Sequence, residues 1–157
     1  MSLKPVVAAA ILDDSVPPRL LVARRSYPPD LAGLYELPGG KVERGEKATV
    51  ALRREILEEL GTEIVLGVPL PAPPEHAAQH AGANAEEPSF QPWAVGGGRP
   101  MWVWLASIAP GAPAPQPGDS HQDLAWSNFP ALRSLPWIPA DLPIVEDVVS
   151  FITNRGR

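Results

Sequence analysis

Apolar and polar positions along the chain fall into short extended runs around one long helical stretch. Residues 5–12 (PVVAAAIL) and 19–25 (RLLVARR) have strand character and are separated by turn material, DDSVPP, so the chain is expected to open with a hairpin. Leu34-Tyr35-Glu36-Leu37 is a short extended piece that stops at Pro38-Gly39-Gly40, where proline and paired glycines imply a turn whose bare backbone lies close to a neighbour. From about Lys47 to Leu60 no Pro or Gly intervenes, helix formers dominate, and Gly61 stands where a left-handed cap belongs. Residues 64–70 read as a further strand. Residues 71–100 are rich in Pro, Ala and Gly without an apolar period, which predicts a long surface loop or insertion, with Trp93 in it a candidate to fold over a pocket.

Residues 101–108 (MWVWLASI) are apolar on both faces and predict a central strand, with Trp102 and Trp104 on one side of it as core or pocket wall. A second Pro/Gly-rich loop, 109–118, precedes a short strand at Leu124-Ala125-Trp126 and a helical turn within 129–135. From Pro143 or Ile144 to Asn154 the apolar positions Ile144, Val145, Val148, Val149 and Ile152 predict a C-terminal helix. Strands in runs, one helix midway and one at the end, indicate an α+β fold: a single domain over 1–157, with a mixed β-sheet between α-helices.

The midway helix raises a chemical question. At about 100° per residue, Glu55, Glu58 and Glu59 share one face, while Leu52, Ile56 and Leu60 form an adjoining apolar arc that can bury against a sheet. Three like charges so spaced repel by about 0.2–0.5 kcal/mol per exposed pair. A solvated acidic face with pairs such as Arg54 to Glu58 explains the pattern without function. A hard divalent cation explains it with function, since such ions take oxygen ligands and share them with substrate phosphates.

Composition narrows the choices. There is no cysteine, so neither disulfides nor thiolate metal sites arise, and any metal must be held by oxygen or imidazole. The net charge of −5, with 13 scattered basic residues, argues against a nucleic-acid polymer as partner. No apolar run is long enough to span a bilayer, and without a signal segment the cytoplasm is the expected compartment.

The sequence just before the helix decides between the two explanations. Gly40, Glu46, Arg54, Glu55, Ile56, Glu58, Glu59 and Gly61 stand at the spacing of the Nudix box, G-x5-E-x7-R-E-U-x-E-E-x-G-U with U a bulky aliphatic. Only Thr62 departs, and Ile64 is the candidate to take over its packing role. The chain therefore resembles the Nudix hydrolases. The resemblance implies a Nudix fold and divalent cations, Mg²⁺ or Mn²⁺, held by Glu55, Glu58, Glu59 and the Gly40 carbonyl. Glu46 and Arg54 would orient loop and helix around the catalytic centre. A water would attack phosphorus, with Glu55 the first candidate to take its proton and Glu46 the second.

The flanks LVARR, AGLYELPGGKVE and WIPADLPI resemble the MutT branch, which includes 8-oxo-dGTP diphosphatases and CTP pyrophosphohydrolases. By that resemblance Asp141 would read the base edge, Arg24 would lie near the same pocket, and Leu37 would supply its apolar wall. A carboxylate can accept from the cytosine amino group or from a guanine edge, and Asp141 could equally cap the following helix. MutT-like relatives carry an acidic metal ligand at the place of Ser120, for which Asp119 is the candidate substitute. His121 reads as a solvated loop residue, and His76 and His80 as bland. The expected activity is hydrolysis of a nucleoside triphosphate to monophosphate and pyrophosphate by a monomer or homodimer. The alternatives are a Nudix hydrolase of ADP-ribose or another dinucleotide, and a nucleotide-binding module without catalysis.

Overall fold

A computed structural model describes residues 4–79 and 88–155. β1 (Val6–Ile11) and β2 (Leu20–Arg25) form where expected. They are not one hairpin, however: after a single antiparallel bridge between Leu12 and Leu20 they part into different sheets. The reason lies in their burial. Both strands are apolar on two faces, and each needs a sheet position covered on both sides, which an isolated pair cannot give.

β1 takes the middle of a five-stranded sheet. It runs antiparallel to β4 (Gly39–Lys41) and parallel to β7 (Arg99–Ile108), the central strand expected at 101–108. β7 also pairs antiparallel with β5 (Ile64–Pro69) and β6 (Trp93–Val95). β2 instead lies between β3 (Tyr35–Glu36) and β8 (His121–Ser127) in a three-stranded antiparallel sheet. The mixed pairing of β1 confirms the expected α+β class.

Residue parity sorts the core into two layers. Ala8 and Ala10 of β1, Leu20 and Val22 of β2, and Val103 and Leu105 of β7 pack with Ile144, Val145 and Val148 of the C-terminal helix, α3 (Leu142–Arg155). Val7, Ala9, Ile11, Leu21, Trp102 and Trp104 pack on the other side against Ala48, Ala51, Leu52, Ile56 and Leu60 of α1 (Ala48–Leu60). Alternation along each strand thus assigns every second side chain to one helix. Both tryptophans of β7 are core, as expected, and Trp102 Nε1 donates to the Phe90 carbonyl (3.1 Å). α2 (Phe129–Leu132) is a single turn capped by Asn128, whose Oδ1 accepts from Ala131 N–H (2.9 Å).

The stretch 71–100 is not simply a surface loop. Trp93 is buried at 2% exposure, and its Nε1 donates to the Leu70 carbonyl (2.9 Å), so it belongs to the core and does not fold over a pocket. Its burial comes from pairing with Met101 on β7, a tertiary partner that leaves no local period to read. His80 lies outside the described residues. His76 is exposed and stacks on Trp93, with ring centroids 6.0 Å apart. Among the described residues no helix is long and apolar enough to cross a membrane.

Candidate active site

Local chemistry places one wall of a cleft of about 630 Å³. α1 begins after Lys47 and stops at Gly61, whose φ of 65° is the left-handed conformation glycine tolerates and whose N–H closes on Leu57 O (3.0 Å). Burial of Leu52, Ile56 and Leu60 fixes the helix rotation, and that turns Glu55 and Glu59 into the cleft. β4 passes directly beneath. A Cβ on Gly39 would collide with the Val7 carbonyl, and a Cβ on Gly40 would occupy the place of the Glu55 carboxylate. Glycine at both positions is what allows helix and strand to approach this closely.

Arg54 ties the wall together. Its Nε and Nη2 donate to the two oxygens of Glu46 (2.8 and 3.0 Å), a bidentate pair, and Nη2 also donates to the Lys41 carbonyl (3.0 Å). Nη1 donates to Glu55 (3.0 Å) and Glu58 (3.3 Å). Glu46 further accepts the Glu43 N–H (3.0 Å). The Arg54 side-chain bonds hold the Glu46 carboxyl below its ordinary value, and the same pairing raises Arg54, which stays charged. Burial pushes Glu55 up, and it pushes Glu59 up to about 7 despite the opposing charge of His121.

The second wall is assembled from distant segments. Arg25, Glu36, Leu37, Ser120 and Asp141 line it. Asp141 ends a 3-10 turn (Pro139–Asp141), is 7% exposed, and accepts the Leu37 N–H through Oδ2 (2.9 Å); burial raises its carboxyl to about 7. That contact runs across to the segment between β3 and β4, not onto α3. Leu37 is buried beside it.

Arg24 is not in the cleft. Its Nε donates to the Gly33 carbonyl (3.3 Å), and its guanidinium lies 5.9 Å from the centre of the Tyr35 ring. Its neighbour Arg25 lines the cleft instead, with Nη1 donating to both Glu36 oxygens (3.0 and 3.2 Å) and Nε to Tyr27 O (2.9 Å). Odd residues of β2 face the α1 layer and even ones the α3 layer, and a register shift between Arg24 and Arg25 completes the turn inward. Parity was the available signal.

His121 is also corrected. It is buried, with Nε2 2.8 Å from Glu36 Oε2 and Nδ1 without a hydrogen-bond partner among the described residues. Glu36, missed in sequence, is therefore clasped by Arg25 on one side and His121 on the other. Of the pair at 119 and 120, Ser120 lines the cleft; the Asp119 carbonyl accepts the Ser26 hydroxyl (2.7 Å).

Among the described residues no three acidic or histidine side chains are gathered into a ready-made metal cluster, since Glu55 and Glu58 are each turned onto Arg54. The donor set nevertheless suits a hard divalent cation: carboxylate oxygens on one helix face, desolvated at Glu55 and Glu59, opposite a backbone that carries no side chain at Gly40.

The NUDIX domain profile matches residues 2–148. A Mycobacterium tuberculosis protein provisionally named 8-oxo-dGTP diphosphatase 2 is 32% identical over 152 residues, 96% of this chain and 92% of its own. The CTP pyrophosphohydrolase of Escherichia coli is 33% identical over 155 residues, covering 99% of this chain and 98% of its own. The solution structure of the E. coli ORF135 protein superposes with a TM-score of 0.69 at 30% identity, over 99% of this chain and 94% of that one. Matched along nearly its whole length, the chain belongs to the Nudix family as a MutT-like hydrolase.

Proposed function

We propose that this Nudix hydrolase is a divalent-cation-dependent nucleoside triphosphate diphosphohydrolase. It cleaves a (d)NTP such as 8-oxo-dGTP or CTP to the monophosphate and pyrophosphate. The observation that carries the reading is the pairing of two unlike walls across one cleft: desolvated Glu55 and Glu59 beside Gly40, and a buried Asp141 beside Leu37. The near full-length relatives named for 8-oxo-dGTP and CTP support the substrate class.

Glu55, Glu58 and Glu59, with the Gly40 carbonyl, would hold Mg²⁺ or Mn²⁺. When bound, the ion neutralises polyphosphate charge and polarises the phosphorus–oxygen bonds. The chain's own residues do the remainder. A water adds its oxygen to a phosphorus of the α,β-bridge, the bridging P–O bond breaks with its electrons leaving on the departing phosphate group, and a carboxylate takes the proton. Glu46 is poorly suited to that last step, because Arg54 holds both its oxygens and keeps it acidic. Burial makes Glu55 and Glu59 better proton acceptors, and Glu55 remains the first choice. Arg54 positions them by fixing Glu46 and the Lys41 carbonyl to the helix. Leu37 and Asp141 seat the base.

Pyrophosphate release from 8-oxo-dGTP, dGTP, CTP and 5-methyl-dCTP, comparing wild type with Glu58→Gln and Glu59→Gln, tests this. Triphosphate cleavage lost in the variants supports the site. Cleavage that survives both substitutions would overturn it.

A further inference from the structure

The helix with the acidic face ends at Gly61, and the next residue is the one departure from the box. Thr62 is fully buried, at 0% exposure. A buried hydroxyl requires a partner, and Thr62 Oγ1 donates to the Pro113 carbonyl, in the Pro/Gly-rich loop leading to β8. Two further contacts seat that loop on the same helix end. Gln116 N–H donates to the Leu60 carbonyl (2.9 Å), one of the last-turn acceptors that a helix cannot satisfy by itself. Gly118 lies so close to the Glu59 carbonyl that a Cβ would stand 2.8 Å from it. At its far end the loop is fastened to the opposite wall: Ser26 N–H donates to Ser120 O (3.0 Å), and Ser26 Oγ to Asp119 O (2.7 Å).

The loop therefore bridges the C-terminal end of α1 and the end of β2, which belong to different walls of the cleft. It has no helix or strand of its own, so a handful of contacts determines where it lies. An aliphatic residue at 62 would fill the same space, but it would leave the Pro113 carbonyl without its donor, and a buried acceptor so orphaned moves toward water.

We propose that Thr62 is a positioning residue: its hydroxyl keeps residues 109–120 seated across the end of α1 and thereby holds Glu59 and Ser120 in register at the cation-binding end of the cleft. This rests on the reading above in one respect, that Glu59 is a cation ligand.

The test is a Mn²⁺ titration of the intact chain, followed by the electron paramagnetic resonance signal of the free ion without nucleotide turnover, with thermal unfolding of each variant alongside. Thr62→Val should weaken Mn²⁺ binding about threefold to tenfold, the scale of one lost hydrogen bond, and Thr62→Ser should stay within about twofold of wild type. Gly118→Ala, which pushes the same loop off the Glu59 carbonyl without touching Thr62, should weaken binding likewise. In turnover, Thr62→Val should raise the Mg²⁺ concentration for half-maximal rate while kcat at saturating Mg²⁺ is retained, a split that general loss of structure would not give. Thr62→Val binding Mn²⁺ as tightly as wild type overturns the proposal; should that variant not fold, Gly118→Ala at wild-type affinity does the same. A wild-type chain that binds no Mn²⁺ is a distinct result, which strikes the metal reading itself and takes this inference with it.

Discussion

The two walls of the cleft are built in opposite ways. The acidic wall comes from one continuous stretch, β4 to Gly61, in which a glycine pair, a helix and one arginine hold each other, the arginine reaching partners 1 to 13 residues away. The facing wall takes Arg25 from β2, Glu36 from β3, Ser120 from a loop and Asp141 from a 3-10 turn, so its chemical groups come from segments spread along most of the chain. On the proposed function, the groups that would meet a cation are written locally, and those that would meet the nucleobase are distributed over the fold.

The sharpest way to break this contrast is to remove one charge from the local wall. Glu59→Gln keeps the side-chain volume and removes the desolvated carboxylate, so kcat should fall by about a hundredfold to a thousandfold with Tm unchanged or raised. Steady-state pyrophosphate release with a melting curve checks both. Arg54→Lys should cost about tenfold to a hundredfold, because an ammonium cannot reproduce the bidentate hold on Glu46 together with the contacts to Lys41, Glu55 and Glu58. If either variant kept full activity, the acidic wall would be a solvated helix face after all.

The same contrast explains what could be read in advance. α1, its glycine cap and the central strand β7 follow from periodicity and capping, which are local rules, and they stand within one or two residues of expectation. The parting of β1 and β2 was hidden because two doubly apolar strands joined by a short turn look the same whether they share a sheet or not. Trp93 was hidden because its burial depends on Met101 across the sheet. His121 was hidden because its partner, Glu36, lies 85 residues earlier. On the local wall Gly40, Glu55 and Glu59 line the cleft, Arg54 and Glu46 brace that wall without lining it, and Glu58 is exposed and turned onto Arg54; on the distributed wall Leu37 and Asp141 are there, Arg24 is not, and Arg25 and Glu36 went unnoticed.

A smaller effect tests the distributed wall through stability. The Asp141 carboxyl is ordinary in the unfolded chain, near 3.8, and raised to about 7 by burial in the folded one. Below pH 3.8 both states hold the proton and the group is neutral to stability. As pH rises from 3.8 toward 7 the unfolded state has already ionised while the folded state resists, so folding stability is progressively lost, by on the order of 4 kcal/mol in all. Asp141→Asn should flatten this decline between pH 4 and pH 8 in urea unfolding measured at several pH values, as well as change the relative rates on CTP and 8-oxo-dGTP. An unchanged pH profile would mean that the carboxylate is solvated or paired more strongly than its single bond to Leu37 N–H indicates.

The smallest effect separates two adjacent arginines. Arg25 shares its strand face with the α1 layer and stands in the cleft, where a fixed guanidinium can meet polyphosphate; Arg24 shares its face with the α3 layer and lies on Tyr35. Arg25→Ala should therefore raise KM for the triphosphate about tenfold, the scale of one charge-assisted contact, and lower Tm slightly because Glu36 keeps only His121. Arg24→Ala should leave KM within about twofold, since exposed ion pairs such as its 3.9 Å approach to Asp123 contribute little. Equal effects from the two substitutions would show that the strand face does not decide which arginine reaches substrate, and the separation of the walls by residue parity would fail with it.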